Sequence, residues 1–179
     1  MLKMAPPPSR PMRRARWKPP KQGTLKINFD GAIFTDENYS GLGVVIRDGK
    51  GFVLASMAAR IPHQLQPEEI EALATSRALE FARELDVTDA VLEGDSLMVM
   101  SVQKLKNFGL APFGLLLQDF LAISSGFTKL SYSYTKREGN IVAHNLAKLA
   151  FNFTSCVIWM DDVPPYVMTS YQVDLVGIS

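Results

Sequence analysis

Three carboxylates stand out by where they fall in the chain. Asp30 lies near the end of KINFDGA (residues 26–32), where Leu25, Ile27 and Phe29 alternate with Lys26 and Asn28. That period of two marks a half-buried strand and puts Asp30 on the polar face, with Gly31 next. Glu71 comes one residue after Ile70, on the flank of an apolar helical stripe, so its side chain can look along a sheet rather than out to water. Asp95 follows directly on the run Val91-Leu92-Glu93-Gly94, just past a second strand. Ligand sites in open sheets gather at strand ends. Carboxylates meeting at one such place repel one another unless a hard dication neutralises them, and Mg²⁺ suits oxygen ligands of this kind. The same residues also allow a plainer reading. Asp30 would then be a turn aspartate before a left-handed Gly31, Glu68, Glu69 and Glu71 one acidic first turn, and Asp95 a helix cap.

The elements that must position these groups are legible in outline. TLKINFDGA, GLGVVIRD and GFVLASMAAR, separated by the polar loop IFTDENYS and a tight turn at Gly49-Lys50-Gly51, predict an antiparallel meander over residues 24–60. Pro67 suits a first helical turn, with Glu68 and Glu69 at the positive end of the dipole. Ile70, Leu73, Ala74, Ala78, Phe81, Ala82 and Leu85 mark the apolar face of that helix. Val87 to Glu93 reads as a short buried strand, and Asp95 or Ser96 can cap a helix running from Leu97 to about Lys106. Pro112 opens another helix, KLSYSYT is a fifth strand, and Asn140 caps a last helix with Val142, Leu146, Leu149, Ala150 and Phe153 inward. From Cys156 onward the chain reads as a poorly regular tail. The order βββ–α–β–α–α–β–α implies an α/β domain with a five-stranded mixed sheet and helices on both faces.

Bulk properties bound the answer. A chain of 179 residues with 47% hydrophobic content accommodates one domain with a full core. No run approaches the ~18 apolar residues of a membrane span, so no membrane partner is expected. The single cysteine, Cys156, rules out an internal disulfide and a cysteine zinc site and suits an intracellular, reducing compartment. The net charge of +1 is unevenly spread: residues 1–26 hold eight bases (Lys3, Arg10, Arg13, Arg14, Arg16, Lys18, Lys21, Lys26) and no acid. The remaining 153 residues carry all eighteen acids against eleven bases, a net of −7. A basic arm on an acidic body fits an arm that meets phosphates and a body that holds metal ions, though a solvated tail broken by six prolines explains the arm too. An organelle presequence is the lesser reading, because those prolines oppose the amphipathic helix it needs, and nucleus or cytoplasm is the expectation. The expected division is a flexible arm at 1–22, a domain at 23–154 and a tail at 155–179 packing on it, in a monomer.

Five ordered strings carry a resemblance: W-x-P-P-x-x-G-x-x-K-x-N-x-D-G-A (Trp17 to Ala32), GLGVVIRDGKG, EALA from Glu71, EGDS (Glu93 to Ser96) and REGNIVAHNLAK (Arg137 to Lys148). Together they resemble the ribonuclease H type 1 domain, and more narrowly the plant group related to non-LTR retroelement reverse-transcriptase polyproteins, which WMDDVPP also fits. The resemblance implies a ribonuclease H-like fold and an endonuclease cutting the RNA strand of an RNA–DNA hybrid with two Mg²⁺ ions. It implies that Asp30 bridges the two ions, ~4 Å apart, while Glu71 and Asp95 hold the one beside the leaving group. The products would carry 5′-phosphate and 3′-hydroxyl ends. Gly31, Ser96 and Asn140 match substrate-binding positions, Gly31 by letting backbone approach the minor groove. Helix capping explains Asn140 as well.

One departure matters more than the matches. Where four-acid members of the family have aspartate, this chain has His144, at a position that helps hold the ion activating the water. Imidazole is a poorer ligand than carboxylate for Mg²⁺, but a neutral ring can hydrogen-bond water or bind Mn²⁺. The plant group often shares this histidine. Helical geometry puts His144 about 160° from the centre of its helix's apolar stripe, so it is not a core residue. It is either a site residue or a solvent-facing one in a domain that no longer cuts. His63 reads as a surface residue, and Lys104 and Lys106 are all that stands where relatives have a basic protrusion. The competing class is a catalytically inactive retroelement-derived nucleic-acid-binding module. A proofreading-type exonuclease needs Asp-x-Glu on the first strand, and Asp30 is followed by Gly31 and Ala32.

Overall fold

A computed structural model describes residues 15–97 and 114–178. The helix expected from Leu97 to Lys106, with Lys104 and the Pro112 start of the next one, lies outside the described residues. The first three strands are β1 (Leu25–Phe34), β2 (Tyr39–Arg47) and β3 (Val53–Ile61), followed by α1 (Pro67–Glu84) and β4 (Asp89–Gly94). Next come α2 (Gly114–Ser124), β5 (Lys129–Tyr134), a 3-10 turn (Arg137–Gly139) and α3 (Ile141–Leu149). β6 (Cys156–Met160) and α4 (Pro165–Val176) complete the chain. The sheet order is β5-β4-β1-β2-β3-β6. β1, β2, β3 and β6 run antiparallel in sequence along the sheet, while β4 pairs parallel with both β1 and β5.

Alternation along β1 divides the sheet into two faces. Ile27 and Phe29 point to one side, where they join Val44, Ile46, Met57 and Leu92 under α1 and α2. Lys26, Asn28 and Asp30 point to the other, which α3 and α4 cover through Val142, Ala143, Leu146 and Val167, with Val163 just before α4. Gly43, paired with Asp30, lies beneath α3; a Cβ there would run into the backbone of Ala143 and Ala147. The glycine therefore lets α3 settle directly on the sheet and brings its exposed flank to the end of β1.

The sheet has six strands where five were expected, because Cys156–Met160 adds an edge strand against β3. Val157 and Trp159 are half-buried while Cys156, Ile158 and Met160 are exposed. Both sets are apolar or nearly so, so no polar alternation marks the strand. The segment beyond is also regular: Pro165 starts α4, and Asp174 on that helix is buried against Arg47 of β2 at 2.7 Å. At the other end Trp17, within the expected arm, is 2% exposed and its indole N–H donates to Asn28 Oδ1 at 2.8 Å. The Arg47 guanidinium stacks over its ring, 3.9 Å from the centroid.

Candidate active site

The parallel ladder between β1 and β4 ends at Asn28 opposite Glu93. Two residues further along each strand come Asp30 and Asp95, so the same register sets these two carboxylates side by side on the face under α3. Glu71 arrives from the other face. α1 begins at Pro67, with the Gln66 N–H donating to Glu69 at 2.8 Å, and Ile70 packs where a Cβ on Gly31 would be, 2.7 Å from Ile70 Cγ1. The next residue, Glu71, then reaches the strand end and accepts a hydrogen bond from the Gly31 N–H. Glu68 and Glu69 are exposed, so the acidic first turn is theirs and not Glu71's.

The electrostatics report crowding. Burial, then the charges of Asp30 and Asp95, pushes the Glu71 carboxyl from 4.5 up to about 8, against the Gly31 N–H and Arg137. Asp95 is likewise pushed above its ordinary value, by burial first and then Asp30, with Arg137 pulling the other way. Asp30 is 1% exposed, and its Oδ1 is buried with no hydrogen-bond partner among the described residues. A hydrogen bond between the Asp95 and Asp30 carboxyls adds to the upward push on Asp95.

His144 comes to the same place. Its side chain is 16% exposed, not solvent-facing, and Nδ1 lies 2.6 Å from Asp30 Oδ2. Asn140 sits at the N-cap position of α3, yet its side chain makes no capping hydrogen bond. Its amide is wholly buried: Nδ2 donates to the Phe29 carbonyl at 2.8 Å and Oδ1 accepts from Asn28 Nδ2 at 3.2 Å. Instead of capping the helix, the Asn140 side chain ties α3 to the backbone next to Asp30. Behind it, Asn28 also donates to Glu93 at 3.1 Å and accepts from Arg47 at 3.1 Å, and Lys26 pairs with Glu93 at 2.9 Å. The carboxylate floor thus stands on a hydrogen-bonded polar layer, in which Arg47 Nε is buried without a partner among the described residues. Gly31 and Ser96 flank the acids on β1 and after β4. His63 is exposed in the loop before α1.

Sequence reasoning missed Arg137. From the 3-10 turn after β5, its Nε donates to Asp95 Oδ2, and its Nη1 contacts His144 Nδ1 and stands 3.6 Å from Asp30 Oδ2. A signal existed: β5 runs parallel to β4, and the Thr135 N–H donates to the Gly94 carbonyl at 3.0 Å. Residues just past β5 must therefore land beside Asp95. With the guanidinium among them, no three His, Cys, Asp or Glu side chains of the described residues are arranged to hold a metal ion. The donor set nevertheless fits one. Oxygen ligands predominate, one buried carboxylate oxygen has no hydrogen-bond partner among the described residues, and two neighbouring carboxyls are pushed up by burial and then by the adjacent acids.

A meander followed by parallel β/α units, with acids gathered from β1, α1 and the end of β4, is the ribonuclease H-like fold. The N-terminal RNase H domain of Rv2228c from Mycobacterium tuberculosis matches with 25% identity and a TM-score of 0.63, over 72% of this chain and 94% of that one. RNase H1 of Halobacterium salinarum matches with 25% identity and a TM-score of 0.61, over 73% and 98%. LC11-RNase H1, in a structure with an RNA/DNA hybrid, shares the fold at 24% identity and a TM-score of 0.63, over 72% and 97%. Residues 28–150, more than half of the chain, match the family model described as reverse transcriptase-like, and the chain belongs to that family. No curated protein matches it in sequence. Family and fold together support nucleic-acid hydrolysis of the ribonuclease H kind in general.

Proposed function

We propose that this protein is a divalent-metal-dependent endonuclease that hydrolyses the RNA strand of RNA–DNA hybrids. The observation that carries the reading is the convergence of Asp30, Glu71 and Asp95, two of them held above their ordinary proton affinity by burial and by one another. Asp30, Glu71 and Asp95 are the groups that would hold Mg²⁺ or Mn²⁺, with His144 beside Asp30. Divalent ions held there supply a nucleophilic water at neutral pH and charge stabilisation for the departing oxygen.

The chain's own residues do the rest. Asp30 offers the buried Oδ1 with no competing donor, and Asn140 fixes the strand from which it projects. Positive charge entering the site would lower the proton affinity of Glu71, which burial first and then the charges of Asp30 and Asp95 hold up. His144, held at Asp30 through Nδ1, stands where a ring nitrogen can orient water. Gly31 and Ser96 are the expected contacts to the nucleic acid, with the basic residues before Trp17 adding phosphate contacts. A catalytically inactive nucleic-acid-binding module is the competing reading, and the guanidinium of Arg137 within the acid cluster is the observation in its favour.

Incubation of the protein with a hybrid labelled on its RNA strand, in Mg²⁺ and separately in Mn²⁺, tests the proposal. RNA cleavage that disappears in Asp30→Asn is the expected result. Absence of product in both metals removes the enzymatic reading and leaves the binding module.

A further inference from the structure

Among the charged groups near the sheet's active edge, Arg137 is the one the chemistry above does not use. Its partners are buried, Asp30 at 1% and Asp95 at 8% side-chain exposure, while its own side chain is 52% exposed. Arg137 thus sits at the open side of the cluster rather than in the core, so the guanidinium can leave without unpacking it. Its position is specific. Nε serves Asp95, Nη1 faces both His144 and Asp30, and the charge bears on Glu71 as well. All four groups that the proposed metal site draws on are in its reach.

We infer that Arg137 is a resident counter-ion that occupies the divalent-metal site of the free protein and competes with the metal for it. The inference rests on the metal-dependent reading above and concerns how that site is kept when empty. A guanidinium supplies one positive charge and directional donors to carboxylates. A dication supplies two and coordinates the same carboxylate oxygens. The two compete for Asp95 Oδ2, because like charges held this close repel strongly. The arrangement explains why the acids stand together yet present no three-ligand cage among the described residues. It also makes metal affinity a difference between two cations rather than the affinity of bare carboxylates. Metal binding would displace the Arg137 head toward the solvent that its half-exposed side chain already meets.

The test reads metal binding directly and without substrate, from the fall in the free Mn²⁺ paramagnetic resonance signal near neutral pH. Wild type, Arg137→Ala, Arg137→Gln and Arg137→Lys are titrated with Mn²⁺, and folding is checked by circular dichroism in chelator. The expected result is Mn²⁺ binding at least about tenfold tighter in Arg137→Ala and Arg137→Gln than in wild type, with Arg137→Lys closer to wild type. Should the alanine variant fail to fold without metal, Arg137→Gln, which keeps a donor for Asp95 and loses the charge, carries the comparison. Equal or weaker binding in the neutral variants, with wild type binding, overturns the counter-ion role alone. No binding in any of the four proteins overturns the metal site and this role with it.

Discussion

Replacing Glu71 by Gln should make the metal-free protein more stable at alkaline pH, although it removes a charge from a nuclease-like site. The folded state raises the Glu71 carboxyl from 4.5 to about 8. Because the folded value is the higher one, the native protein binds the proton more tightly than the unfolded chain. The associated stability is fully present below pH 4.5 and is lost as pH rises through about 8. At ~1.4 kcal/mol per tenfold in proton affinity, the full difference is an upper limit of about 5 kcal/mol, which partial solvent access reduces to about 2–3 kcal/mol. Glutamine mimics the protonated acid, keeps an acceptor for the Gly31 N–H, and has nothing to lose on titration. For a chain of this size that corresponds to about 5–10 °C in melting temperature. Thermal melts in chelator, followed by circular dichroism between pH 5 and 9, should show the two proteins close together at the acid end. Near the alkaline end the variant should melt higher by that margin, and saturating Mg²⁺ should raise wild type but not the variant. A variant equal to or less stable than wild type at alkaline pH would refute the crowding of carboxylates on which the reasoning depends.

Other perturbations probe the frame around the acids. Gly43→Ala drives a methyl group into the backbone of Ala143 and Ala147, and urea unfolding should show a loss of about 3 kcal/mol as α3 lifts from the sheet. Asp174→Ala strands the buried Arg47 guanidinium without its 2.7 Å partner and should cost about 3–5 kcal/mol in the same measurement. His144→Asp exchanges the ring 2.6 Å from Asp30 for a fourth carboxylate. It should melt lower than wild type in chelator and recover more on adding Mg²⁺, with calorimetric Mg²⁺ affinity rising about tenfold.

Much of this arrangement was legible because short-range patterns coincide with the geometry that uses them. The alternation Leu25, Ile27, Phe29 against Lys26, Asn28, Asp30 reports the two faces of β1, and those faces decide that Asp30 meets α3 while Gly31 meets α1. Helical spacing set His144 off the apolar stripe, where it faces Asp30. β6 was hidden because Cys156, Ile158 and Met160 are exposed without being charged, so a two-residue period left no trace. α4 was hidden because its anchor is the ion pair between Asp174 and Arg47, which are 127 residues apart. Asn140 looked like a cap from its neighbours, but its amide is spent on β1 directly beneath it, 111 residues away in the chain. Arg137 could be placed only through the parallel pairing of β4 and β5, which no local pattern encodes.

The convergence of the three acids is tested most directly by isothermal titration calorimetry of the metal-free protein with Mn²⁺ at neutral pH, in two buffers of different ionisation enthalpy. Since Glu71 holds a proton up to about pH 8, binding should release protons to the buffer, about one per protein, and Asp30→Asn should abolish the binding. Binding with no proton release, or binding that survives Asp30→Asn, would contradict a shared carboxylate site for a divalent cation.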